Sequence, residues 1–424
     1  MSLTLAVGMI FAGPSEAGAN ERLADAPALT DKDGKWNENL LADTAEWFND
    51  RFFLRQELIS MNNALTAKVF GTSASEDVIL GSDGWLYYDS TLDNYTGQNL
   101  MSQQEIFAAA NNLKLMQEAC EAEGKTFAFM IAPNKNSLYG ENMPDYGMKA
   151  TKCDTQNLMN ALEEMGVRTV DLYTAFGREE QILYFAHDSH WNSQGAALGA
   201  DCVNAAFGRS SNYFGRDFSQ SQRHDGDLYD MMYPAFTDPE TDPVYGGTLE
   251  FTYESSATRA DSVTLLTAGR GEESLLCYRD SFGILLYPYL ADSFGSSRFS
   301  RSVTYDVTGD WDYVLVELVE RNLSYLITNL PVFMAPERTV SLPEASGMAT
   351  VEISEPKKPE GTILVEGTLP EDAQGETYVV CGEKTYAATL LRDGGFAAYL
   401  PGDAEVSAIV YHAGGELRLL TINQ

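Results

Sequence analysis

Residues 275–290, LLCYRDSFGILLYPYL, decide how this chain is read. An apolar run, Leu275–Tyr278, breaks at Arg279-Asp280-Ser281-Phe282-Gly283, and an apolar segment of helical length follows. A strand, a sharp turn carrying a serine and then a helix is how a parallel sheet presents a nucleophile at the carboxyl end of a strand. The helix N-terminus then offers N–H groups to a developing oxyanion. The turn lacks the G-x-S-x-G elbow, and taken alone Ser281 reads equally well as a plain helix cap.

Outward from this point the chain alternates. FAFMIAP (127–133), VRTVDLY (167–173) and YVLVELV (313–319) are strands, the first a continuous apolar run ended by proline, as in a strand buried on both faces. Residues 103–123, 154–165, 193–208 and 284–294 read as helices, and the small residues of 193–208 suit close packing on a sheet. Strands alternating with helices predict a three-layer α/β/α domain around a mostly parallel sheet. Residues 36–70 carry apolar positions at helical spacing, and VILGSDGWLYYD (78–89) is a hairpin turning at Asp83-Gly84. The pattern breaks over 209–270, which is read as an insertion or cap beside the sheet. Four prolines mark 336–360 as a linker, and 361–424 reads as a small β-sandwich-like domain. The α/β domain is thus expected over 36–335. The N-terminal segment, 1–35, holds an apolar run from Leu3 to Ala12, too short to span a bilayer; it is either the remnant of a signal or membrane anchor or an ordinary terminus.

The 424 residues suffice for two or three units. With 44% hydrophobic and 11% aromatic residues the chain can build real cores, which removes a disordered reading. Lys and Arg number 28 against 62 Asp and Glu, a net charge of −34 that repels phosphate backbones and argues against a nucleic-acid partner. Five scattered cysteines without a C-x-x-C pair argue against a structural zinc site and a disulfide-rich scaffold.

Four histidines are present, two of them in FAHDSHWNSQG (185–195). Asp188, two residues before His190 in a loop that opens a helix, can hold the imidazole by its Nδ1–H and leave Nε2 free as a base. The same residues read as a capping network around a structural histidine. Together with Ser281 they supply a nucleophile, a base and an orienter in the chain order Asp, His, Ser, and a triad is defined by geometry, not order. Asn134 and Lys135 follow strand 127–133 at the same expected sheet edge, as an oxyanion donor and a substrate contact or as a capped, solvated turn. Phe282 beside the nucleophile, Trp191 beside the base and Arg321 after strand 313–319 complete the oxyanion or substrate-binding set. His187, His190, His224, Asp225 and Asp227 could be arranged around a divalent ion, but their spacing fits no strong motif, and neither a metal nor another cofactor is predicted.

GSDGWLYY (81–88), IAPNKNSLYGENMP (131–144), HDSHWN (187–192), YRDSFG (278–283) and YVLVELVER (313–321) together resemble the DHHW proteins and the related alginate O-acetyltransferase domains, which are SGNH-hydrolase-like with a permuted order. The resemblance covers roughly 20–330, and HDSHWN with YRDSFG is its most specific part. It implies a flavodoxin-like sheet and Ser-His-Asp chemistry on acetyl esters of extracellular glycans, with Ser281 as nucleophile, His190 as general base and Asp188 as its orienter. Ser189 stands where the name-giving motif has a histidine. The expected protein is therefore an extracytoplasmic serine esterase or O-acetyltransferase working through an acyl-enzyme on a polysaccharide or other acetylated glycan, with a membrane-bound acetyl donor protein as a possible partner. The alternative is a cell-envelope glycan-binding scaffold that keeps the fold without the chemistry.

Overall fold

The computed structural model describes residues 23–30, 32–147, 153–218 and 220–422; the apolar run Leu3–Ala12 lies outside them. No helix among the described residues is long and apolar enough to cross a membrane.

The central sheet has seven strands. In chain order, after a hairpin of β1 (Val78–Leu80) and β2 (Leu86–Tyr88), they are β3 (Thr126–Ala132) and β4 (Thr169–Val170). A second hairpin, β5 (Gln220–His224) with β6 (Glu240–Val244), stands apart from the sheet. The sheet then continues with β7 (Thr252–Tyr253), β8 (Thr264–Ala268), β9 (Ser274–Tyr278), β10 (Ser296–Ser300) and β11 (Tyr313–Val319). Their spatial order is β4-β3-β11-β9-β10-β8-β7. Five strands run parallel, and β8 and β7 extend one edge in antiparallel fashion. Part of 209–270 is thus sheet edge and not only a cap beside it: once β10 exposes its outer edge, the backbone groups there need partners, and β8 supplies them.

The alternation along β3 explains why its sequence is apolar throughout. Phe127, Phe129 and Ile131 enter the core beneath helices 103–122 and 154–165, whereas Ala128, Met130 and Ala132 enter the core beneath helices 193–206 and 283–293. A strand roofed on both faces has no polar side to show. Strand β11 follows the same rule with one exception, Glu317, which is fully buried in an otherwise apolar run. The expected single helix over 36–70 is two, Leu40–Asn49 and Arg55–Phe70, broken where Leu54 takes a left-handed φ of 62°. The β1–β2 hairpin turns through Asp83 and Gly84, both at positive φ, as its Asp-Gly pair requires.

Residues 336–360 do not form a bare linker. They contribute β12 (Glu337–Arg338), β13 (Ala345–Ala349) and β14 (Val351–Ser354). These pair with strands of the C-terminal region: β15 (Thr362–Thr368), β16 (Thr377–Cys381), β17 (Lys384–Ala387), β18 (Thr389–Leu390), β19 (Gly395–Pro401), β20 (Val406–Ala413) and β21 (Glu416–Ile422). The result is a six-stranded sheet, β12-β17-β16-β20-β21-β13, and a four-stranded sheet, β14-β15-β19-β18. The four prolines of 336–360 lie between the strands and not within them, so they remove no ladder hydrogen bond. This β-rich region shares one continuous core with the face of the central sheet under helix 103–122. Asn112 on that helix fastens the junction: its Nδ2 donates to the carbonyls of Leu326 (2.9 Å) and Leu390 (2.7 Å), and its Oδ1 accepts from the Leu390 N–H (2.9 Å).

Candidate active site

Ser281, His190 and Asp188 meet at the carboxyl ends of the parallel strands. Strand β9 ends at Tyr278, and Gly283 opens the following helix. The turn between them is tight enough that a Cβ on Gly283 would lie 2.5 Å from the Arg279 side chain. Asp280 braces it from inside. Its Oδ1 accepts the Phe282 N–H (2.9 Å) and its Oδ2 the Val319 N–H (2.7 Å), while its own N–H donates to Glu317 (3.0 Å). Burial, and then the Asp280 charge, hold the Glu317 carboxyl well above the usual range and favour its protonated form.

The loop before helix 193–206 brings His190. Asn192 caps that helix by accepting from the N–H groups of Gln194 and Gly195, both at 3.0 Å. His190 Nε2 lies 2.8 Å from Ser281 Oγ, and Nδ1 lies 2.7 Å from Asp188 Oδ1. Asp188 is buried, and four donors surround its carboxylate. Oδ1 receives the His190 N–H (2.8 Å) and ring; Oδ2 receives His224 Nε2 (2.9 Å) and the Asp227 N–H (3.0 Å). Burial pushes its pKa up, but His190 and His224 outweigh burial and hold it well below the ordinary carboxylate range. For His190 burial works downward; Asp188 first and Asp227 next more than offset it, Arg321 opposes them, and the imidazole ends above its ordinary 6.5.

Lys135 does not reach toward a substrate. It is buried, and its ammonium donates to three backbone carbonyls of the triad loop: Phe185 (3.1 Å), Ala186 (3.0 Å) and Asp188 (2.6 Å). Three donors meet three acceptors, with the faces of Trp85 and Tyr87 alongside. Burial pushes its pKa down to about 7. Trp191, expected as a wall of the site, is fully buried beneath it; its indole N–H donates to the Phe282 carbonyl (3.1 Å). Phe282 is fully buried too, with its N–H engaged by Asp280 and its ring against His190 (4.8 Å) and Trp191 (5.0 Å). Both are therefore struts under the site and not contacts for a ligand: large rings at the first turn of a helix fold inward when the sheet face below is apolar. Asn134 lies at the end of β3 with its backbone N–H donating to Glu320 (3.0 Å), and its side-chain amide is buried with no partner among the described residues. Arg321 is half-buried, its guanidinium over the rings of Tyr88 (5.3 Å) and Phe282 (5.6 Å).

His224 and Asp227 were legible in the sequence only as possible metal ligands. Their donor atoms are engaged otherwise: His224 with Asp188, and Asp227 with the N–H and hydroxyl of Ser189, both at 2.7 Å. His187 points elsewhere, its Nδ1 at the Asp238 carbonyl (3.0 Å), and Asp225 pairs with Arg223. Gly226 lets this segment press on the loop, since a Cβ there would lie 2.3 Å from the His187 carbonyl oxygen.

The likenesses to known proteins follow this geometry. A DHHW family protein from Eubacterium siraeum is 17% identical over 61% of this chain and 99% of its own, with a TM-score of 0.42. The O-acetyltransferase domain of Pseudomonas putida AlgJ is 15% identical over 59% and 93%, with a TM-score of 0.40. AlgX of Pseudomonas aeruginosa is 12% identical over 85% and 93%, with a TM-score of 0.37. These superpositions are too loose to carry a residue's role across. No curated protein matches the chain. Residues 78–270 match the family described as ALGX, an SGNH hydrolase-like domain of the acetyltransferase AlgX, a span that holds Asp188 and His190 and ends before Ser281. The resemblance read from HDSHWN and YRDSFG and this family match agree on an SGNH-like domain with a sheet of mostly parallel strands, which continues past the matched residues to β11 and is followed by a β-rich C-terminal region.

Proposed function

We propose that this protein is an exported serine esterase or O-acetyltransferase acting on acetyl esters of a polysaccharide. The observation that carries the reading is the pair of contacts on one imidazole, 2.8 Å to Ser281 and 2.7 Å to Asp188. Ser281 Oγ attacks the acetyl carbonyl as its proton passes to His190 Nε2, and Asp188 stabilises the imidazolium that results. The tetrahedral oxyanion takes hydrogen bonds from the Ser281 N–H and from the unpaired amide of Asn134. As the carbonyl re-forms, the bond to the leaving alcohol breaks and His190 returns the proton to it. Water or a sugar hydroxyl, deprotonated by His190, then takes the acetyl group from Ser281. The match of residues 78–270 to a domain named for the acetyltransferase AlgX supports the transferase branch. A net charge of −34 favours a neutral or zwitterionic glycan over a polyanion. A glycan-binding scaffold would have no need of a closed hydrogen-bonded triad, and the 2.8 Å contact weighs against it.

The test is acetyl release from p-nitrophenyl acetate by the wild type and by Ser281→Ala, with mass spectrometry of the trapped acyl-enzyme. The expected result is turnover lost in the variant and a single acetyl adduct on Ser281. Equal rates in the two proteins with no adduct would refute the reading.

A further inference from the structure

The inserted hairpin delivers a second imidazole to the site. His224 ends β5, and its ring lies flat on Phe185 at 3.8 Å with an interplanar angle of 8°, which fixes its orientation. From there its Nε2 reaches Asp188 Oδ2 at 2.9 Å, on the side of the carboxylate opposite His190. One buried carboxylate thus bridges two histidines, in the order His224, Asp188, His190, Ser281. The two rings differ in surroundings. His224 has a quarter of its side chain exposed (26%) and exchanges protons with solvent, and it is faced by Asp188, Asp242, Glu240, Asp225 and Asp230. His190 is faced by Asp188, Asp227 and Arg321.

We propose that His224 is a positioning residue of the hydrolytic centre, acting through Asp188: it holds the outer carboxylate oxygen so that the inner one meets His190, and a proton taken up by His224 draws charge away from Asp188 and keeps His190 in its neutral, basic form. The physical reason is that Asp188 carries a single negative charge. A protonated His224 already neutralises it, so a second proton on His190 would enter a site with no uncompensated charge from Asp188. The two rings therefore titrate in competition, as a pair and not as two independent groups. The surrounding carboxylates, four of them facing His224 from β6 and from residues 225–230, place the first proton on the outer ring. The site thereby keeps a free base at a pH where an isolated Asp-His pair would be protonated.

The proposal rests on the function proposed above, and its test separates the two. With only four histidines in the chain, each imidazole can be followed by ¹⁵N-resolved NMR titration. In the wild type, the His190 resonances are expected to show a second inflection at the pH where His224 titrates. Two variants extend this. His224→Gln keeps a donor to Asp188 without a titratable group: it should give His190 a single titration moved up by at least about half a pH unit, and move the acid limb of kcat/KM for p-nitrophenyl acetate with it. His224→Phe keeps the stack on Phe185 but removes the donor, and should lower kcat about tenfold. Unchanged His190 titration in His224→Gln, with one inflection in the wild type, overturns the proposal even if Ser281 is acylated. The expected shift without any acetyl turnover upholds the histidine pair and removes the esterase reading instead.

Discussion

Replacing Lys135 by Met tests how the site is held. The substitution keeps the length of the side chain and removes its three donors, leaving the carbonyls of Phe185, Ala186 and Asp188 facing a thioether. An orphaned buried acceptor costs about 1–3 kcal/mol, so the three together cost roughly 3–9 kcal/mol. An opposing term is as large. Burial lowers Lys135 from 10.5 to about 7, and at about 1.4 kcal/mol per unit, holding the ammonium inside at neutral pH costs roughly 4–5 kcal/mol, which Met does not incur. The net loss of stability therefore lies between about −2 and +5 kcal/mol, less than the orphaned carbonyls alone would cost. Activity should respond far more, because the freed carbonyls belong to the loop that aims Asp188 and His190, and a displacement of about 1 Å costs about 100-fold. The sign of the pH effect is also fixed. Between about pH 7 and 10 the unfolded chain binds the proton that folded Lys135 has released, so wild-type stability rises with pH relative to the variant by up to about 1.4 kcal/mol per unit. The raised thiols and phenols are common to both proteins and cancel in the difference. Denaturant unfolding at several pH values, beside esterase kinetics, reads both quantities. Activity within threefold of wild type would show that Lys135 does not hold the loop, and the same dependence of stability on pH would show that burial does not lower its pKa.

Two further substitutions probe other parts of the structure. Arg321→Ala removes a cation that opposes protonation of His190; since the imidazole must be neutral to act as a base, activity is lost as pH falls through its raised value, and the variant's acid limb should lie at higher pH than the wild type's, measured as kcat/KM against pH. Asn112→Ala orphans the Leu390 N–H and two carbonyls at the junction with the C-terminal sheets and should cost about 3–5 kcal/mol, seen as one unfolding transition at lower denaturant; two resolved transitions would mean that the units are not coupled.

Much of this architecture is visible in the chain because parallel strands buried on both faces leave continuous apolar runs. Strands β9 and β11 begin and end where SLLCY and YVLVELV do. Strand β4 is only Thr169–Val170 of the expected VRTVDLY (167–173), and TLEFTYES (248–255) and SVTLLTA (262–268) read as strands of which β7 and β8 keep a part; their antiparallel place at the sheet edge is set by unpaired backbone on β10. In 336–360 prolines spaced between very short strands look the same in sequence as prolines in a linker. The site divides similarly. Asp188 and His190 are two residues apart, so their contact is a local matter, whereas His224 meets Asp188 across 36 positions through a hairpin whose placement depends on the whole insertion. Lys135 misleads for a different reason: a lysine after a strand ordinarily finds water, and only the inward turn of three carbonyls between 185 and 188 makes burial tolerable. Glu317, a carboxylate in an otherwise apolar strand, receives the backbone N–H of Asp280 on one of its oxygens.

The unbroken core between helix 103–122 and the C-terminal sheets bears on how such a protein can change over time. Units joined by a free tether can be exchanged, duplicated or lost with little effect on their neighbours. Here buried residues of both units share one core, and Asn112 bonds Leu326 on one side of the seam and Leu390 on the other. Loss of the C-terminal region would leave an apolar face open to water and break the two bonds between Asn112 and Leu390, inviting self-association. Any recombination at this boundary must therefore bring a replacement surface of matching shape, so the α/β layer and its β-rich companion are constrained to diverge together.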